Sequence, residues 1–273
     1  MLNSRISRLA TATLGAAALA VSAQSGANAV RAQDDVPTFQ EFEAATFQDV
    51  GGQYVVNGDE TISTRKKLRA YYDAMVTTKD TGSTSLVVNT VGGADDVWSA
   101  SQAQSLTYCV SDAFGADKAA VVSAMESGAG QWETASGGVD FTYVPSADSS
   151  CTVSNSAVVF SVEPTDTSEY IARAFFPSSP DSQRNVLVNA EALMNSGSWT
   201  PSNIMAHELG HSLGFRHEHT RPEAGTCFED SNWRPLTPYD SSSIMHYPQC
   251  NGSSSDLSMT ETDRSGVRSV YGS

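Results

Sequence analysis

Apolar residues along this chain fall into short alternating or helical patterns that predict a succession of helices and strands. In TRKKLRAYYDAM, Leu68, Tyr72 and Met75 stand at offsets of four and three, the apolar stripe of a helix. Arg65, Lys66, Lys67 and Arg69 then form its solvated face. The stretch KDTGSTSLVVNTVGGADD follows, rich in Gly, Ser, Thr and Asp, and reads as a linker. LTYCV (106–110), VDFTYV (139–144), AVVFSV (157–162), YIARAFF (170–176) and NVLVNA (185–190) read as strands. DKAAVVSAMESGAGQW places Val122, Met125, Ala129 and Trp132 at helical offsets, although Gly128 and Gly130 weaken that helix. A further helix is predicted with Thr200 as N-cap, Pro201 at its first position and Gly214 at its stop. A capping box from Thr260 to Asp263 predicts a short terminal helix. The order of these elements is that of an α+β fold.

The N-terminus departs from this pattern. Arg5 and Arg8 precede an uncharged apolar stretch, Leu9 to Ala23, and then the small-residue triplet Ala27-Asn28-Ala29. That is the layout of a secretory signal peptide, expected over residues 1–29. Its apolar part, about 15 residues, is shorter than the about 20 that span a bilayer. The expected product is exported, without a membrane anchor, and monomeric. A net charge of −15 argues against nucleic-acid or anionic-membrane partners. In an oxidising compartment, Cys109, Cys151, Cys227 and Cys250 suggest two disulfides. Cys109–Cys151 and Cys227–Cys250 are favoured among the three pairings because they close shorter loops.

The chain has 5 His, and all but His246 lie in HELGHSLGFRHEH, residues 207–219. Each helical residue advances about 100°, so His207 and His211 project from one face, one turn apart. Two imidazoles so placed grip one cation from adjacent corners of a tetrahedron. Glu208 lies about 60° around from His211 by the same step, too far round to join them as a ligand but near enough to reach a metal-held water. Met205, Leu209 and Leu213 form the opposite, core-facing stripe. Gly214 can take positive φ and turn the chain back, which delivers His217 as the third ligand. His219, one step past Glu218, is expected at the surface.

The completed string, H-E-x-x-H-x-x-G-x-x-H, resembles the zinc-binding consensus of the metzincin metalloproteases. GFRHE, Arg221 and the later PYDSSSIMHY are similar to the astacin-type branch, including secreted bacterial metallopeptidases related to astacins. The resemblance runs from about Thr200 to Tyr247. It implies a metzincin-like catalytic domain with a mixed twisted sheet, an active-site helix and a Met-turn, placed here at residues 97–273. It further implies Zn2+ on His207, His211 and His217, with Met245 as apolar floor and Tyr247 as a displaceable ligand that stabilises the oxyanion. In the same family Glu218 contacts the mature N-terminus. After Arg221 the family continues with an acidic-basic-acidic triplet, where this chain reads PEAG. That departure leaves the substrate pocket open.

The chemistry implied is hydrolysis of peptide bonds in a protein or peptide substrate. Glu208 takes a proton from a zinc-bound water and passes it to the leaving amine. Such an enzyme is expected to be exported latent, which assigns residues 30–96 to a propeptide and linker. That segment contains no cysteine to block a metal. In astacin-type proenzymes an Asp in F-x-G-D does so, and Val56-Asn57-Gly58-Asp59 offers Asp59, with Val in place of Phe. Asn-Gly-Asp is equally an ordinary turn signature. YIARAFF is either an edge strand that receives substrate or a plain strand. The rival functions are a non-catalytic secreted zinc domain and a zinc amidase acting on cell-wall amide bonds.

Overall fold

The computed structural model describes residues 37–77, 85–227 and 229–273, so the expected signal peptide lies outside the described residues. The first elements are α1 (Phe39–Ala45), β1 (Phe47–Gln48), β2 (Tyr54–Val56), β3 (Glu60–Ile62) and α2 (Arg65–Thr77). Next come β4 (Ser85–Val91), β5 (Ala94–Asp95), α3 (Ala100–Ala103), β6 (Leu106–Val110) and α4 (Lys118–Ala135). They are followed by β7 (Phe141–Tyr143), β8 (Phe160–Pro164), β9 (Ala172–Arg173), β10 (Asn185–Val188) and α5 (Ala190–Met194). The chain ends with α6 (Pro201–Ser212), β11 (Phe215–Arg216), β12 (Trp233–Thr237) and α7 (Glu261–Tyr271). Helix and sheet are mixed, an α+β arrangement.

A five-stranded sheet of order β7-β6-β8-β10-β9 is parallel except for β9, which pairs antiparallel at the edge. Val110, Phe160, Val162, Val186 and Val188 of this sheet join Met125 and Trp132 of α4 and Met205 and Leu209 of α6 in one apolar core. Burying a side chain of that size contributes about 1.5–3 kcal/mol. The glycine that weakens α4 as an isolated helix explains its packing. A Cβ on Gly128 would sit 2.8 Å from Ala206 N, so α4 reaches the backbone of α6 only because none is there. Trp132 Nε1 then donates to Ala206 O at 2.7 Å.

The stretch read as a linker contains β4, the centre of a second sheet. β11 pairs with it antiparallel (Phe215 opposite Val88), as does β12 (Trp233 opposite Asn89). Leu86, Val87 and Val88 are buried. The apolar run is short and its flanks are turn-rich, which hid a central strand. This stretch, read as a linker, thus pairs with two strands that lie beyond residue 97.

Before β4, α1, α2 and the antiparallel sheet β1-β2-β3 form a small subassembly around Phe39, Val56, Leu68, Tyr71 and Tyr72. Thr38 and Glu41 cap α1 reciprocally. Pro37–Ser273 is nevertheless one compact unit. Disulfides join Cys109 to Cys151 and Cys227 to Cys250. Among the described residues, no helix is long and apolar enough to cross a membrane.

Candidate metal centre

α6 is built as the sequence predicts. Thr200 Oγ1 accepts from Asn203 N at 3.1 Å, Pro201 opens the helix, and Leu213 caps its end. Gly214 follows with φ +97°, and a Cβ there would lie 2.1 Å from Asp96 O. Only glycine makes this turn against the neighbouring backbone. The chain then enters β11, whose pairing with β4 carries it straight to His217.

The three imidazoles converge. His207 Nδ1 lies 2.7 Å from Ile244 O, and His211 Nδ1 lies 2.8 Å from Phe215 O. A carbonyl only accepts, so each Nδ1 carries the proton and each Nε2 presents a lone pair. His217 Nδ1 lies 2.8 Å from Glu229 Oε1, so it donates its proton to that carboxylate and turns Nε2 toward the other two rings. The Nε2 atoms of His207 and His217 are 3.2 Å apart, close to the about 3.3 Å edge of a tetrahedron with ligands about 2.0–2.1 Å from a zinc ion.

Asp59 completes the cluster. Its Oδ2 lies 3.2 Å from His207 Nε2, and its Oδ1 lies 3.1 Å from His217 Nε2 and 3.5 Å from His211 Nε2. All four residues are buried. His211 Nε2 and Asp59 Oδ1 have no hydrogen-bond partner. Buried polar atoms are almost always satisfied. A proton can bridge two of these atoms, whereas a divalent cation serves all four. The donor set, three imidazole nitrogens and a carboxylate oxygen, suits zinc. Asn57 (φ 56°) and Gly58 (φ 102°) make the tight turn between β2 and β3 that aims Asp59. The turn and the insertion into the histidine cluster are thus one feature.

Electrostatics follow from this burial. Burial pushes His207 down to about 4. Burial alone would raise Asp59, but the neighbouring His217 and His211 hold it well below the usual carboxylate range. Burial, followed by the charge of Asp59, pushes Glu208 well above that range. Glu208 Oε2 is buried without a partner. The Tyr247 hydroxyl donates to Asp59 Oδ2, and its ring stacks on His207 with centroids 5.2 Å apart. Met245 is fully buried against α6, where its Sδ would lie 2.5 Å from a Cβ on Gly210.

His219 is not at the surface. It is 2% exposed and stacks on His217 with centroids 4.6 Å apart, because the segment after Gly214 folds back under the cluster. His246 stays outside the cluster, its Nε2 2.8 Å from Tyr239 Oη. The cleft-facing side of α6 is covered as well, since Asp59 lies against His207 and His211.

Several residues of the site carry no motif. Asp263 accepts from Ile244 N at 3.0 Å and from the Ser243 hydroxyl, besides capping α7, and so steadies the carbonyl that orients His207. Arg216 joins Glu60 at 3.2 Å to Glu229 at 2.8 Å and also contacts Asp230. Arg173 pairs with Asp49 at 2.7 Å, both side chains buried. The capping box announced Asp263 only as a cap, and a lone Arg or Asp in a sequence announces nothing. A cavity of about 430 Å³ opens beside the histidines, lined by Tyr170, Ile171, Trp199, Ile204, Tyr247 and Leu257 among others.

No protein-family model matches the chain. It is similar to high choriolytic enzyme 2 of Oryzias latipes, 38% identical over 74 residues, which covers 21% of this chain and 26% of that protein. High choriolytic enzyme 1 of the same fish is 38% identical over 74 residues, 21% of this chain and 27% of that protein. Zinc metalloproteinase nas-30 of Caenorhabditis elegans is 41% identical over 63 residues, 16% of this chain and 8% of that protein. These relatives are astacin-family zinc metalloproteinases. The matched stretch spans about a quarter of the two fish enzymes and less than a tenth of the nematode protein.

Proposed function

We propose that this chain is a secreted zinc-dependent endopeptidase with a metzincin-like catalytic domain, made with a prosegment that plugs its own metal centre. The observation that carries the reading is the convergence of three Nε2 atoms and Asp59 on one point, with two buried atoms otherwise unsatisfied. The likeness to zinc metalloproteinases supports the same chemistry.

His207, His211 and His217 would hold the ion. When bound, Zn2+ supplies Lewis acidity, polarising a peptide carbonyl and bringing the pKa of water toward about 7. Glu208, whose Oε2 is buried without a hydrogen-bond partner, acts as general base and then as acid to the leaving amine. Burial, and after it the charge of Asp59, raises the proton affinity of Glu208, so departure of the plug returns Glu208 toward a base. Tyr247 directs its hydroxyl at an anionic oxygen beside the three histidines. In the plugged form that oxygen belongs to Asp59; in catalysis it is the developing oxyanion. Met245 closes the floor against water.

The plug is the segment before β4, anchored by Asp49 on Arg173, Asp59 on the histidines and Glu60 on Arg216. A cut that releases it falls before β4, whose two partner strands belong to the catalytic body. Thr61 Oγ1 donates to Ala174 O next to β9, so the plug lies along the edge that an extended substrate would take.

The test is casein hydrolysis by the activated protein with and without a chelator. Activity is expected to vanish with chelator and return with added zinc. Hydrolysis indifferent to chelation contradicts the proposal.

A further inference from the structure

The three histidines are oriented in two different ways. His207 and His211 direct Nδ1 at main-chain carbonyls, Ile244 O and Phe215 O, which the backbone itself fixes. His217 directs Nδ1 at a side chain, Glu229 Oε1, at 2.8 Å. Glu229 is 2% exposed, and its other oxygen, Oε2, accepts from Arg216 Nη2 at 2.8 Å. Arg216 immediately precedes His217 and is held in turn by Asp230. His219 Nε2 approaches the same Oε1 at 3.3 Å from the neighbouring ring.

A carboxylate behind an imidazole does more than a carbonyl. It fixes the tautomer and ring direction, and its full charge raises the basicity of the far nitrogen. Glu60 is the other acid in reach, but its nearest oxygen is 3.7 Å from His217 Nδ1, and its carboxylate faces Arg216 Nε and Nη2 instead. The segment bearing Glu229 is tied by Cys227–Cys250 to the turn just after Tyr247. One crosslink therefore constrains both the acid behind the third histidine and the tyrosine in front of it.

We infer that Glu229 is the positioning residue of the third metal ligand, held in place by Arg216, and that it carries a measurable share of the site's affinity for zinc. The inference rests on the metal-binding reading above and adds to it a residue outside every motif in the chain.

The test is competition for zinc between the full-length protein and a chromophoric chelator, with thermal unfolding of the zinc-free protein measured in parallel. The parent is expected to hold one zinc per chain. Glu229→Ala is expected to weaken zinc binding about 10–100-fold, the range for such outer partners, and to lower the zinc-free Tm without unfolding the protein, because Arg216 loses one buried partner but keeps Glu60 and Asp230. Glu229→Gln keeps an acceptor without the charge and should fall between Ala and the parent. Asp230→Asn, which touches Arg216 but no imidazole, should weaken binding less than either. Parental affinity in both Glu229 variants overturns the inference. So does a loss in Glu229→Ala that comes only with a collapsed Tm while Glu229→Gln binds as the parent does. A parent that takes up no zinc refutes the metal-binding reading instead.

Discussion

Asp59 Oδ2 lies 3.2 Å from His207 Nε2, although 148 residues separate them in the chain. The hairpin of β2 and β3 delivers the carboxylate, and both of its oxygens lie within 3.5 Å of an imidazole nitrogen of the cluster. Replacing Asp59 by Ala removes the only carboxylate of the four-residue cluster and the acceptor of the Tyr247 hydroxyl. Purified full-length Asp59→Ala is expected to cleave a peptide that the parent proform leaves intact. Equal latency of the two proteins on that peptide rules out a plugging role.

The ion pair of Arg173 with Asp49 anchors the same segment 2.7 Å apart, with side chains 1% and 2% exposed. Removing one partner of a buried pair leaves an uncompensated charge and costs about 3–5 kcal/mol. Asp49→Ala should therefore loosen the prosegment, seen as a lower urea midpoint and as faster proteolytic trimming of residues before β4. An unchanged midpoint and an unchanged trimming rate argue that the pair anchors nothing.

Gly214 is the hinge on which the third ligand depends. At φ +97°, with Asp96 O 2.1 Å from where a Cβ would stand, alanine meets both backbone strain and a clash. These together cost about 3 kcal/mol or more. Gly214→Ala is expected to lower both Tm and zinc stoichiometry, read by calorimetry and metal analysis. A variant that keeps both means that the turn tolerates a side chain.

Away from the metal, Asp148 accepts from Val110 N at 3.0 Å and Tyr143 Oη at 2.6 Å and pairs with Lys118 Nζ at 2.6 Å. Burial would raise its pKa, but the Lys118 partner and these hydrogen bonds outweigh it and hold the group below its ordinary value. The unfolded chain then takes up this proton at higher pH than the folded one. The stabilisation is complete above the unfolded value, about 3.9, and is lost as pH falls through the folded one. Tm followed from pH 6 to pH 2 should fall less steeply for Asp148→Asn than for the parent. Parallel curves contradict this.

Much of the site was legible because its elements are local. Thr200, Pro201 and Gly214 mark the ends of α6, and a spacing of four places His207 beside His211. Asp59 was legible only as one of two readings, since a turn signature says nothing about what the turn is pressed against. β4 was lost among turn formers because a central strand of so few apolar residues owes its existence to β11 and β12. Glu229, Arg216 and Asp263 act through contacts closed by the tertiary fold, for which a single sequence carries no periodicity or spacing. His219 was expected outside as the residue one step past Glu218, yet the turn at Gly214 folds it under Tyr247 with centroids 5.3 Å apart.

The most direct measurement is peptide hydrolysis by activated Glu208→Gln with its zinc content determined on the same sample. Gln keeps the size of the side chain and removes its ability to take a proton. One zinc per chain is expected, with peptidase activity reduced at least about 10²-fold, the lower range for general acid–base catalysis. A zinc-loaded Glu208→Gln that hydrolyses peptides at the parent rate would contradict the assignment of Glu208 as the base.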